Sequence, residues 1–150
     1  MQMRLIGILV AALALTVSVA GAAWADDGGR PFSKALTGAA EVPGPGDADA
    51  TGSVSLALNP GKGEVCFDLS WASIDGTVVA AHIHVGAAGV AGPVVVPLFS
   101  GAFAGTDSTS ACVSADHDLL VDIIQQPQSY YVNVHSTVFP AGAIRGQLSK

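Results

Sequence analysis

Basic side chains are scarce in this sequence of 150 residues. Lys and Arg together number six, whereas Asp and Glu number twelve. Proteins that bind nucleic acid or anionic lipid surfaces use Lys and Arg to neutralise phosphate groups. The composition therefore excludes nucleic acid and anionic membranes as partners.

The sequence also lacks the common catalytic motifs. It has no G-x-S-x-G element that would present a nucleophilic serine. The Gly-rich stretch 86–92 lacks the lysine of a phosphate-binding loop and follows a predicted strand, so we expect a mobile or bulged loop between strands. These absences favour a non-enzymatic protein.

Long apolar runs are confined to the N-terminus. One arginine, Arg4, precedes an apolar run over 5–20, and Ala23, Trp24 and Ala25 then form an A-x-A site. This order is typical of a secretory signal peptide; the alternative is an uncleaved membrane anchor. We predict a signal peptide over 1–25 that is cleaved after Ala25, a secreted or extracytoplasmic protein, and no membrane span after cleavage.

Cysteine is limited to Cys66 and Cys112. Without C-x-x-C spacing they give no zinc-ribbon signal, and an oxidising compartment favours pairing them. We predict a disulfide between them; the alternative is two buried free thiols.

Most of the remaining sequence alternates between apolar and polar residues. Two such runs, 51–59 and 64–71, flank a Pro-Gly turn and predict a β-hairpin. Further predicted strands cover 34–42, 78–85, 94–99, 110–113, 130–136 and 143–148. About eight short strands separated by turns indicate a two-sheet sandwich or a barrel.

One short helix interrupts this pattern. Asp116 is a suitable N-cap for the apolar segment that follows, and Pro127 ends it; another strand is the alternative. We expect 26–33 to be a flexible N-terminal segment and 34–150 to be one domain.

Three histidines could form a metal site. His82 and His84 are two residues apart in a predicted strand, so they share a face, while Ala81, Ile83 and Val85 occupy the core-facing side. In the strand 130–136, His135 shares its face with Asn133 and Tyr131.

If these two strands are neighbours, His82, His84 and His135 converge on one point. Three neutral imidazoles suit Cu²⁺ or Zn²⁺, with water at a fourth position and Asn133 or Tyr131 as supporting polar groups. The alternative is a structural role in which the imidazoles hydrogen-bond to the backbone and fix the loop after Gly86. His117 is expected to lie exposed at the helix start.

Arg145 stands inside an apolar C-terminal strand. We expect it to pair with a carboxylate, either Asp68 or Glu41.

Four sequence blocks resemble the CHRD domain, which takes its name from chordin. They are Leu36–Pro43, Ala81–Gly86 with Gly92–Val94, Tyr130–His135 and Phe139–Leu148. They follow the order typical of the family and cover nearly all of the chain after the leader. Ala143 departs from the pattern, since bacterial members commonly carry glutamate there.

The resemblance implies an extracellular β-sandwich without a defined activity. The cysteine-rich growth-factor-binding modules of chordin are absent, so growth-factor antagonism is not implied. The His-x-His strand is also similar to the copper strand of copper/zinc superoxide dismutase, a Greek-key sandwich. That enzyme needs a bridging histidine and a zinc-loop aspartate, which are not evident in this sequence.

We therefore predict an all-β, Greek-key-like antiparallel β-sandwich of about eight strands with one short helix. The leading functional hypothesis is a secreted, non-enzymatic binding or structural domain with an unknown extracellular or envelope ligand. Copper or zinc binding through His82, His84 and His135 is the alternative, and a dismutase-like redox enzyme is a third.

Overall fold

The computed structural model describes residues 29–103 and 107–150. The predicted signal peptide and its cleavage site lie outside the described residues. The elements in chain order are β1 (Arg30–Thr37), β2 (Thr51–Asn59), β3 (Glu64–Ala72), β4 (Val78–Val85), β5 (Val94–Phe103), β6 (Ser108–Ser114), α1 (His117–Gln125), β7 (Tyr130–Ser136) and β8 (Ile144–Gln147). Two short 3₁₀ helices cover Gly38–Ala40 and Pro127–Ser129.

The eight strands form one antiparallel sheet in the order β5-β4-β7-β8-β1-β2-β3-β6. The two halves, β5-β4-β7-β8 and β1-β2-β3-β6, join through a single pair of partners, Thr37 and Arg145. Phe99 and Phe103 of β5 pack against Trp71 of β3, so the sheet curls until its ends face each other. The predicted all-β fold is confirmed, with one nearly closed sheet in place of two separate ones.

The predicted hairpin is confirmed. The register of β2 and β3 runs from Asn59 opposite Glu64 to Thr51 opposite Ala72. Gly63 has φ +61°, a backbone conformation that favours glycine, and it completes the turn. Because side chains alternate along a strand, the apolar residues Val65, Phe67, Leu69 and Trp71 all point inward and are buried.

Helix α1 covers one end of the core. The side chain of Asp116 accepts hydrogen bonds from the backbone N–H groups of Asp118 and Leu119, at 2.9 and 3.2 Å, and so caps the helix. Leu120 and Ile123 are fully buried against the sheet. The predicted helix is therefore present, and the alternative of a further strand is wrong.

The first strand lies earlier than expected. It begins at Arg30 and ends at Thr37, and Arg30 to Ser33 pair with β2, so they belong to the sheet and not to a loose segment. The strand ends there because a 3₁₀ turn starts at Gly38, whose Cα packs so closely on Asp47 that a Cβ would lie 1.7 Å from the Asp47 carbonyl oxygen. This turn brings Glu41 onto the other half of the sheet.

The predicted disulfide is present. Cys66 of β3 and Cys112 of β6 are directly opposite each other, with Cα atoms 3.9 Å apart. The alternative of two free thiols is wrong. None of the helices in the described residues is both long and apolar enough to span a bilayer.

Candidate metal centre

The three histidines lie on the outer face of two adjacent strands. Strands β4 and β7 pair so that His82 is opposite Asn133 and His84 is opposite Tyr131. Ala81 and Ile83, which alternate with these histidines, are fully buried in the core. The fold therefore satisfies the condition on which convergence of the histidines depended.

The imidazoles are close enough to share an ion. Nδ1 of His82 is 3.0 Å from Nε2 of His135, and one nitrogen from each of the three rings lies within 4.8 Å of the others. Two nitrogens that are each about 2.0–2.1 Å from a metal, at an angle near 90–110°, lie about 2.9–3.4 Å apart. The His82–His135 contact is a hydrogen bond in which Nδ1 of His82 donates to Nε2 of His135, and its length falls within this range.

Backbone carbonyls orient two of the rings. Nδ1 of His84 is 2.8 Å from the Gly92 carbonyl oxygen, and Nδ1 of His135 is 3.0 Å from that of Pro140. A carbonyl only accepts hydrogen bonds, so each Nδ1 carries the proton and each Nε2 keeps a lone pair. This outer shell of hydrogen bonds is typical of histidines that bind metals.

One of these lone pairs has no partner. His84 is 7 % exposed, and its Nε2 makes no hydrogen bond. Buried polar atoms are nearly always satisfied, so an unpaired one needs an explanation. A metal ion held by the cluster would provide one.

The surroundings keep two of the three rings neutral. Burial, with the neighbouring His135 and His84, lowers the pKa of His82 to about 4. Burial also lowers the pKa of His135, despite the opposing effect of the Pro140 carbonyl. Both rings are therefore neutral at neutral pH, as ligands must be.

Tyr131 packs against the His84 ring of the site. Its ring stacks on that of His84, with centroids 4.8 Å apart and planes 12° apart, and the guanidinium carbon of Arg145 lies 3.4 Å from its centroid on a cation–π contact. The Tyr131 hydroxyl accepts a hydrogen bond from the Gly92 amide at 3.2 Å. These contacts fix the orientation of the His84 ring.

Arg145 makes different bonds from those expected. Its guanidinium donates to the carbonyls of Val90 and Ala87, both at 3.0 Å, and to Oε1 of Gln147. Asp68 lies on the exposed face of the other half of the sheet, and Glu41 acts on Arg145 only through its charge. The prediction of a carboxylate partner was wrong because the loop between β4 and β5 supplies carbonyl acceptors instead.

The Gly-rich loop 86–93 lies over this polar face. Arg145 donates to two carbonyls in the middle of the loop, and Gln147 donates to the Gly86 carbonyl at 2.9 Å. His84 forms a hydrogen bond with the Gly92 carbonyl. At Gly92 a Cβ would lie 1.7 Å from the Val85 carbonyl oxygen, so glycine allows the close return of the chain. The predicted loop between strands is therefore present, and polar side chains beneath it bind its backbone.

Sequence reasoning missed the role of Glu41. This residue is 4 % exposed, its carboxyl accepts a hydrogen bond from the Asn133 side chain, and its Oε1 has no partner. Burial raises its pKa to about 7, although the Val42 amide, Arg145 and Asn133 oppose the shift. Gly142, at φ +143°, leaves room for the carboxyl group, since a Cβ there would lie 2.5 Å from it. The only local signal was one acidic residue in the block Leu36–Pro43.

Other groups in the described residues are placed away from this cluster. His117 is exposed at the start of α1, as expected. Its Nδ1 forms a hydrogen bond with the Asp118 carboxyl group at 2.9 Å. Glu64, Cys66 and Cys112 also lie together, but their sulfurs are joined in the disulfide.

The comparisons with known proteins agree with the fold. The family described as the CHRD domain matches residues 32–148, which include every strand except the first two residues of β1. A search of curated proteins and a search of solved structures return no match. Because this match covers more than two thirds of the sequence, the chain belongs to the CHRD domain family.

Proposed function

We propose that this CHRD domain is an exported, non-enzymatic binding domain whose ligand is one Cu²⁺ or Zn²⁺ ion held by His82, His84 and His135. The observation that carries the proposal is the buried and unpartnered Nε2 of His84, which lies within 4.8 Å of ligand nitrogens from both other rings. This combines the leading hypothesis, a binding domain, with the metal site that was its alternative.

The donor set favours copper and zinc. Neutral imidazoles suit Cu²⁺ and Zn²⁺, whereas Mg²⁺ and Ca²⁺ prefer oxygen ligands. Cu²⁺ exceeds Zn²⁺ in affinity at a given nitrogen site. We therefore expect both ions to bind, Cu²⁺ more tightly.

A purely structural role explains less. The bond from His84 to Gly92 accounts for Nδ1 of His84 and for the anchored loop, but it leaves Nε2 unsatisfied in the core of the site. A dismutase-like enzyme has weaker support, because in the described part of the chain the cluster holds three histidines and no carboxylate ligand.

Export is supported by two features. The Cys66–Cys112 disulfide is typical of oxidising compartments, and the CHRD domain is an extracellular type of domain. The A-x-A site before Asp26 is the third argument, and it rests on the sequence.

Isothermal titration of metal-free protein tests the proposal. We expect one equivalent of Cu²⁺ or Zn²⁺ to bind, and each of His82→Ala, His84→Ala and His135→Ala to weaken binding by about 100-fold or more, because each removes one ligand. Binding also stabilises the fold by about 4 kcal/mol when the free metal is ~1,000 times its Kd.

His117→Ala is the matched control, since it removes the remaining histidine, which lies outside the cluster. It is expected to bind metal as the wild type does. Tight one-to-one binding that survives His84→Ala, in a protein whose circular dichroism is unchanged, would show that the ligands are elsewhere.

A further inference from the structure

A second buried polar atom near the histidines has no partner. Asn133 is 2 % exposed, and its Oδ1 makes no hydrogen bond. Asn133 is directly opposite His82 in the sheet and two residues from His135 on the same face. Opposite residues in antiparallel strands have Cβ atoms about 4.5–5.5 Å apart, so this amide lies beside the histidine cluster.

The amide has a defined orientation. Its nitrogen donates to the Glu41 carboxyl group, which lies on the β8 side of Asn133, between Gly142 and the neighbouring Gly46. The oxygen of an amide points away from its nitrogen. Oδ1 is left to face the other neighbours of Asn133, among them His82, which is directly opposite it in β4.

We infer that Asn133 Oδ1 serves the fourth coordination position of the metal centre, as the oxygen donor that completes a three-histidine set, and that Glu41 is the positioning residue that holds the amide in this orientation. The inference rests on the proposed function and adds to it a fourth ligand group.

Tyr131, the other supporting residue, does not fill this role. Its hydroxyl is engaged with the Gly92 backbone, and its ring lies between His84 and Arg145. The matched control for Asn133→Leu is Asn59→Leu, because Asn59 is the chain's other asparagine and ends β2, on the other half of the sheet.

Electron paramagnetic resonance of the Cu²⁺-loaded protein, together with titration, tests the role of Asn133. We expect Asn133→Leu to change the g and hyperfine values and to lower Cu²⁺ affinity by about 10–100-fold, the range for loss of a supporting group at a metal site. Asn59→Leu is expected to leave the spectrum unchanged. Wild-type values in folded Asn133→Leu would overturn the inference while leaving the three-histidine proposal intact, whereas absence of Cu²⁺ binding by the wild type would remove both.

The Glu41 variants separate positioning from packing. Glu41→Gln keeps an acceptor for the Asn133 amide and is expected to retain the wild-type spectrum. Glu41→Leu removes the acceptor and is expected to shift the spectrum toward that of Asn133→Leu. Identical spectra for the two Glu41 variants would contradict the positioning role.

A measurement on the unaltered protein covers the case in which Asn133→Leu fails to fold. Labelling asparagine with ¹³C at the side-chain carbonyl gives two signals, because Asn59 is the chain's other asparagine. Asn59 is the last residue of β2, on the other half of the sheet, and serves as an internal reference. We expect one equivalent of Zn²⁺ to shift the Asn133 signal and not the Asn59 signal; an unmoved Asn133 signal in Zn²⁺-bound protein would overturn the inference.

Discussion

At the scale of single residues, the histidines could be predicted and Glu41 could not. His82 and His84 are two positions apart in an alternating segment, and His135 ends another, so the shared face follows from the period of a strand. Glu41 lies in a loop far from all three in sequence, and no local pattern links it to Asn133. Its position depends on the 3₁₀ turn at Gly38. That turn packs on Asp47, and this contact is tertiary.

The buried carboxyl of Glu41 gives a pH dependence of stability. Its pKa is raised from 4.5 to about 7, so the folded state holds a proton that the unfolded state releases. The stabilisation is complete below about pH 4.5 and is lost as the pH rises through 7, because the buried group must then ionise. The loss is on the order of 3 kcal/mol.

Urea unfolding of metal-free wild type and Glu41→Gln at pH 5 and pH 8 measures this effect, because the difference between the two proteins cancels the other titrating groups. Relative to Glu41→Gln, the wild type is expected to be less stable at pH 8 than at pH 5. A difference that does not change with pH would mean that Glu41 is already ionised at pH 5.

At the scale of elements, polar side chains of β4, β7 and β8 hold the loop 86–93 in place. The sequence predicted the strands and the loop between them, because both follow from local alternation and Gly-rich composition. It did not predict that Arg145 binds this loop, because the acceptors are backbone carbonyls. Every residue has a carbonyl group, so no sequence motif indicates which ones Arg145 contacts.

Arg145→Lys tests the anchor. A lysine ammonium cannot reproduce the two-carbonyl contact or the stacking on Tyr131, so we expect a loss of about 2 kcal/mol in unfolding free energy. We also expect faster hydrogen exchange at the Gly92 amide.

Arg30→Lys, at an exposed position of β1, is the control and is expected to change neither quantity. Unchanged Gly92 exchange in Arg145→Lys would show that the loop is held by other contacts.

At the scale of the whole molecule, the eight strands, the helix and the family were accessible from the sequence, but their order across the sheet was not. The β1–β8 junction joins segments from opposite ends of the domain through the single pair Thr37 and Arg145. Such a pairing depends on how both halves pack around the core. The disulfide was inferred from the compartment, and the structure adds that it joins β3 to the edge strand β6.

The disulfide and the metal centre lie in different halves of the sheet, so their effects are expected to be independent. Cys66→Ala/Cys112→Ala removes a link between residues 46 positions apart and is expected to cost about 2–4 kcal/mol of unfolding free energy. Metal affinity is expected to stay within about 2-fold of the wild type, since distant sites are additive. Chemical denaturation and titration of the same variant measure both, and a large loss of metal affinity would contradict the separation.

X-ray absorption spectroscopy of the protein loaded with one equivalent of Cu²⁺ and then desalted tests the central claim most directly. The account predicts retained copper whose spectrum shows the multiple scattering of three imidazoles at about 2.0 Å, with one further light ligand. Loss of the metal on desalting, or a spectrum without imidazole scattering, would contradict it.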